Sequence, residues 1–393
     1  MKRIYFDHIA ATPVHPDVLA AMLPYFQDRF GNAQSLHADG QAVQEPLAEA
    51  RERVARLINA TEAEIVFVSC GSEANNLAVK GLALAQRPKG THLVLSAIEH
   101  TSVLNAAKSL EKTGFSTTLV PVDGEGRVDP AAVAAAIKPE TVLVSVQLAN
   151  SEIGTIEPVA EIARAARAKH VAVHTDAVAA AGNIPVDVRA LGVDALSLAG
   201  DQFYGPKGSG ALFVRKGVKV VPLIDGGIQE GGKRGGTENI PAIIGLGLAA
   251  EIARLKMDER RAAAAKLRDK IIAELPSRIA YARVTGPAFE RLPHHASFVI
   301  PFVEGEAMLL SLDMKGIAAS SGSACTSKSL KASHVHLAMG LDHATAQGSI
   351  VFSLIESATE ADVDHLLDVF PPIVERLRSM SPLYTEFLKE NRR

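Results

Sequence analysis

The sequence predicts an α/β fold: a mostly parallel sheet covered by helices, joined to a smaller α+β part. Three observations predict it. Short apolar runs recur through residues 60–215, and most lack alternation, as strands buried on both faces require. Amphipathic stretches of helical length separate these runs, which is the rhythm of a parallel sheet. After Gly236 the rhythm breaks into one long Ala-rich helical stretch and then isolated strand signals.

In chain order, the strand runs are Ile65-Val66-Phe67-Val68, Leu93-Val94-Leu95, Thr118-Leu119-Val120, Val142-Leu143-Val144, Val171-Ala172-Val173, Ala195-Leu196-Ser197-Leu198 and Ala211-Leu212-Phe213-Val214. Helical patterns fill residues 75–85, 102–112, 129–137 and 159–169 between them. The stretch 241–275 reads as a connecting helix. Strands at 297–300 and 349–354 and helices at 306–314 and 360–380 complete the second part. The expected division is a large domain over 15–245, and a small domain from 1–14 plus 246–393.

Composition narrows the function. The 393 residues carry 41 Lys and Arg against 44 Asp and Glu, a net charge of −3. No basic excess marks a dedicated nucleic-acid or acidic-membrane binder. A hydrophobic content of 47% excludes disorder as the global state. Two cysteines, Cys70 and Cys325, are too few for a disulfide framework or a four-cysteine zinc site. The opening Met1-Lys2-Arg3-Ile4-Tyr5-Phe6-Asp7 meets an acid before an export-type apolar run forms, and no run of ~18 uncharged apolar residues occurs. A cytoplasmic protein without membrane contact is expected.

Ligands of an α/β sheet sit at strand ends. Four ends carry polar residues. Ser69-Cys70-Gly71-Ser72-Glu73 follows a strand and opens a helix. Small residues there let N–H groups and the Ser72 hydroxyl approach an anion, though an ordinary Ser cap looks the same. Cys70 is expected to be buried in that turn. His100 follows a strand, and a lone His is more often structural than catalytic. Asp176 ends a strand, where an acid caps a helix or pairs with a ring nitrogen. Asn150 lies in Leu148-Ala149-Asn150-Ser151-Glu152-Ile153-Gly154, which alone reads as a turn. His334 and His336 have the i, i+2 spacing of a strand but no third ligand nearby, so they read as a solvated pair.

Together these residues resemble the cysteine desulfurases of the NifS/IscS type, pyridoxal-phosphate (PLP) enzymes of aminotransferase class V. The resemblance runs nearly end to end. It is carried by Tyr5-Phe6-Asp7-His8, Phe30-Gly31-Asn32 with Ser35-Leu36-His37, the run from Glu73 to Lys80, and Glu99-His100. It continues through Asn150 to Gly154, His174-Thr175-Asp176-Ala177, Tyr204-Gly205-Pro206-Lys207-Gly208, Arg234 with Thr237-Glu238-Asn239, and Ser321-Gly322-Ser323-Ala324-Cys325. The resemblance implies a large domain of the aspartate aminotransferase type, a smaller α+β domain and a homodimer. Gly71, Ser72, His100, Asn150, Asp176, Gln202 and Thr237 are its implied cofactor-site positions, Thr237 reaching the partner's phosphate site. Arg234 is an implied substrate residue. Cys325 is the implied loop nucleophile that carries a persulfide to an acceptor protein.

The chain also departs from the family's pattern. Gln202 occupies the position of the Schiff-base lysine, and an amide nitrogen forms no imine. Asp201 and Ala199 replace a His and a Ser that help hold the phosphate. Ala179 replaces a Gln that bonds the cofactor ring, and Glu356 replaces the Arg that binds the substrate carboxylate. That charge reversal costs about 1 kcal/mol at ~4 Å in water and several at lower dielectric. Lys207 belongs to the family's own Gly-Pro-Lys-Gly turn, so it reads as structural.

Three readings follow. In the first, a desulfurase-like protein of iron–sulfur cluster assembly uses Cys325 to carry sulfur, or to ligate a cluster shared with a scaffold partner, its PLP site being degenerate. In the second, an enzyme binds PLP non-covalently. In the third, the chain is a non-catalytic docking partner of a desulfurase or scaffold.

Overall fold

The computed structural model describes residues 3–322 and 332–390. Its strands are β1 (Ile4–Tyr5), β2 (Ile65–Val68), β3 (His92–Ser96), β4 (Ser116–Val120), β5 (Thr141–Ser145), β6 (Ala172–Asp176), β7 (Ala195–Ala199), β8 (Gly210–Val214), β9 (Arg283–Val284), β10 (His295–Val299), β11 (Ile317–Ala318) and β12 (Ser349–Ser353). A seven-stranded sheet has the order β2-β8-β7-β6-β5-β3-β4. It is parallel except for β8, which runs antiparallel to both neighbours.

The seven apolar runs of residues 60–215 mark these strands because both faces are covered. Every residue of β2, β3 and β5–β8 is buried, whereas the edge strand β4 is partly exposed. One apolar cluster, including Val94, Val144, Val173 and Leu196, lies on one face. A second, including Leu77, Leu82, Leu93 and Leu143, lies on the other. Strand order reverses between β3 and β5. His100 follows β3, Asn150 follows β5 and Asp176 ends β6, so all three stand around this switch point.

A third cluster lies outside that sheet. Ile4, Phe6, Phe298, Phe352 and Phe370 gather there, beside the three-stranded sheet β12-β10-β9 and the parallel pair β1-β11. The helix Ile240–Arg278 joins the two regions. Asn239 caps its start by accepting Ala242 N–H at 3.3 Å, and Pro241 sits in the first turn, where its missing N–H costs nothing. Ile240–Ala253 packs into the first cluster, and Ile271 and Leu275 into the third. Gly247 lets it touch the helix Gln44–Leu57: a Cβ there would lie 2.5 Å from Ala50 Cα.

One local expectation fails. His334 and His336 lie on the helix His334–Ala338, not on a strand, and His336 is fully buried rather than solvated. Two histidines in a short segment carry no period that separates helix from strand.

Candidate active site

The turn after β2 opens the helix Gly71–Gln86. A Cβ on Gly71 would lie 2.6 Å from a Val178 methyl, so only glycine lets the turn close over this side chain. Cys70 caps the helix, its Sγ accepting Glu73 N–H at 3.4 Å. Contrary to the expectation, Cys70 is exposed: the cap position places its side chain outside the first turn rather than beneath it. Glu73 accepts Ser69 N–H at 2.7 Å, bonds the Ser69 hydroxyl, and accepts Arg234 Nε–H at 3.1 Å. Arg234 is therefore committed to its own chain's carboxylate. Ser72 is exposed on the same turn.

Asp176 and His100 are linked. Asp176 is buried, accepting Val178 N–H at 2.9 Å and Asn75 Nδ2–H at 2.6 Å. Asn75 also donates to Ser102 Oγ at 2.9 Å, and Ser102 Oγ lies 2.7 Å from His100 Nδ1. His100 Nδ1 further accepts Ser102 N–H, which places the neutral ring's hydrogen on Nε2. Burial raises the Asp176 carboxyl above its usual range, opposed by the charge of His100 and by its two donors. Asn75 and Ser102 were not singled out in the sequence, because an Asn and a Ser on helix faces give no local signal.

Asn150 is consumed by backbone. Its Oδ1 accepts Glu152 and Ile153 N–H at 2.8 and 3.0 Å, and its Nδ2 donates to Ile98 O at 3.1 Å. The turn it shapes ends on Gly154, whose positive φ of 78° a side chain would strain.

Gln202 is buried, and its Nε2 donates to Ile9 O at 3.2 Å. Thr12 bonds the Asp201 carbonyl through both N–H and hydroxyl, and Lys207 Nζ donates to Thr12 O at 2.5 Å. Lys207 is thus a tie to the opening segment, as its turn motif suggested. Burial raises the Asp201 carboxyl, with Lys207 opposing. Ala179 and Ala199 are buried and offer no polar atom on their side chains. Glu356 faces the long helix, meeting Arg260 Nη2 at 2.7 Å and Lys256 Nζ at 3.8 Å. Thr237 is exposed. Cys325 lies outside the described residues. No group of three His, Cys, Asp or Glu suited to a metal occurs among the described residues.

Residues 4–366 match the model of the class-V aminotransferases. The chain belongs to this family. Within it, the chain is 46% identical over 388 residues to the cysteine desulfurase IscS of Dictyoglomus turgidum, covering 98% of each protein. It is 46% identical over 382 residues to that of Methanosarcina thermophila, covering 97% of this chain and 94% of the relative. A solved NifS-like protein superposes with a TM-score of 0.90 at 36% identity, covering 95% of this chain and all of that one. DndA from Streptomyces lividans superposes at 0.75 with 33% identity, covering 87% and 97%. The α/β class, the mostly parallel sheet and the desulfurase resemblance read from the sequence agree with these findings.

Proposed function

We propose that this class-V aminotransferase is a desulfurase-like sulfur-transfer protein of iron–sulfur cluster assembly whose cofactor site no longer supports the family's lysine chemistry. The observation that carries this reading is Gln202. It stands at the lysine position, and its amide is spent on Ile9 O. The two ends of the cofactor site differ. At the ring end, Asp176 is linked through Asn75 and Ser102 to His100, with Asn75 Oδ1 buried and without a partner among the described residues. At the phosphate and anchor end, Ala199 lacks a hydroxyl, Asp201 is an acid, and Arg234 is held by Glu73. A phosphorylated cofactor does not fit that end.

Cys325 is the functional residue in this reading. Its thiolate attacks the outer sulfur of a donor's persulfide and releases the donor thiol. It then yields that sulfur to an acceptor's thiolate. The same thiolate is one soft ligand for a cluster whose other ligands come from a scaffold protein. The chain acts as a homodimer in the cytoplasm. Phe26, Phe30, Leu36 and Ile228 are exposed apolar side chains of the kind a second copy covers.

The test is persulfide transfer from a labelled donor, followed by mass spectrometry of wild type and Cys325→Ala. Label on Cys325 that passes to a cysteine-bearing scaffold supports the reading. If Cys325→Ala behaves like wild type in transfer and in cluster retention, the docking-partner reading replaces it. The linked Asp176 and His100 favour a second reading, non-covalent PLP. Borohydride treatment of PLP-loaded protein decides one part: a pyridoxyl group on any lysine peptide overturns the loss of lysine chemistry.

A further inference from the structure

A cavity of about 120 Å³ lies between the long helix and the opening segment. His8, Asn183, Tyr204, Arg260, His294 and Glu356 are among its lining residues. It shares none of them with the Gly71, His100 and Asp176 group.

Its polar groups are left with spare hydrogens. Arg260 stacks over the Tyr204 ring at 4.7 Å and gives Nη2 to Glu356 at 2.7 Å. Its Nε and Nη1 are buried with no hydrogen-bond partner. Glu356 does not neutralise Arg260 alone, since Lys256 Nζ approaches the same carboxylate at 3.8 Å. Tyr204 Oη accepts Glu356 N–H at 2.6 Å, which leaves its own hydrogen to give. His294 is 4% exposed and stacks on His8 at 4.4 Å, and neither of its ring nitrogens is bonded among the described residues. Buried donors without acceptors cost free energy, and such groups are normally satisfied.

His8 adds an independent observation. Its Nδ1 lies 3.1 Å from Leu354 O and its Nε2 lies 2.9 Å from Gln202 O. A neutral imidazole has one N–H and satisfies one carbonyl, whereas an imidazolium satisfies both.

We propose that this cavity is a binding site for a small carboxylate, seated on Arg260, Tyr204 and His294. Its volume suits an acid of about two or three carbons, several times the space one water needs. A carboxylate supplies acceptors to the orphaned guanidinium hydrogens and to Tyr204 Oη–H, a charge-assisted set. It also brings negative charge beside His8. Burial and the charge of Arg260 hold His8 down to about 4, so the empty site has a neutral ring near pH 7. An anion there offsets the charge of Arg260, the smaller of the two effects that keep a proton off His8; burial is the larger. The other charged and titratable groups facing the pair are Arg261, Glu259 and Glu356 on the cavity wall, with Arg268 and His295 acting on His294. The proposal depends on neither Cys325 nor a cofactor.

The test is calorimetric titration of the full chain with acetate, with acetamide as the neutral isostere and chloride as a simple anion. Acetate is expected to bind saturably, while acetamide and chloride do not. Arg260→Gln is expected to weaken acetate at least tenfold. Glu356→Gln, which removes the negative charge beside Arg260 while keeping an acceptor for Nη2, is expected to tighten it several-fold. Equal binding of acetamide, competition by chloride at equal concentration, or weaker binding by Glu356→Gln overturns the proposal. Because Glu356→Gln moves affinity upward, misfolding of the Arg260 variant does not decide the outcome.

Discussion

The Gln202 amide, 3.2 Å from the Ile9 carbonyl, now ties the opening segment to the loop after β7. Gln202→Ala removes that bond and is expected to cost about 1 kcal/mol in urea unfolding. Gln202→Lys keeps a donor of similar reach. It should hold stability yet leave sulfide release from cysteine slow, because Asp201, Ala179 and Glu356 are unchanged. Release at an ordinary desulfurase rate from this single variant would show that Gln202 alone silenced the site. Cys70 gives a second check. In Cys325→Ala it is the remaining thiol, and its exposure predicts reaction with Ellman's reagent without denaturant. At this scale a motif in the sequence names positions such as Asp176 and Gln202, and the structure buries both. The sequence was silent where a role depends on what the fold brings opposite. Arg260 carries no local signal within its Ala-rich helix.

Each strand bounded from its apolar run was found within a few residues; except in the partly exposed edge strand β4, burial on both faces leaves a run that no turn or helix surface would carry. The long stretch read as 241–275 is the helix Ile240–Arg278. Its two ends work differently from its middle. Leu275 is fully buried in the third cluster, so Leu275→Ala should cost about 2–5 kcal/mol. Gly247→Ala tests the other end. Propensity alone favours Ala by about 1 kcal/mol. The 2.5 Å approach to Ala50 Cα opposes it, and overpacking costs about 1–3 kcal/mol. Net destabilisation is expected, read as a lower urea midpoint; a higher midpoint would mean that the two helices part at little cost. The helix His334–Ala338 escaped because five residues hold barely more than one turn, too little for a period to show.

Taken as a whole, the molecule buries both acids and histidines, and their effects on stability oppose each other. Burial raises Glu152 and Glu157 to about 7. In the folded state they bind protons between pH 7 and their unfolded value near 4.5, so stability rises as pH falls through that window. Burial holds His8 and His336 near 4 and His174 and His295 near 3. The unfolded chain protonates these rings near 6.5 and the folded chain does not, so stability falls as pH drops from there. Below about 4.5 the acids no longer compensate. Four rings outnumber two acids, so melting temperature should peak near pH 7 and fall steadily toward pH 3. Glu152→Gln should raise it at pH 8 and leave it unchanged at pH 5; equal effects at both would remove the buried charge as the cause. The pairing of β1 with β11 carries a different consequence, for the chain while it is being made. Ile4 lies opposite Ile317, so this strand leaves the ribosome some three hundred residues before its partner is made. At about 5–20 residues per second that wait is tens of seconds, during which Ile4 and Phe6 have no place to go and are open to nascent-chain chaperones.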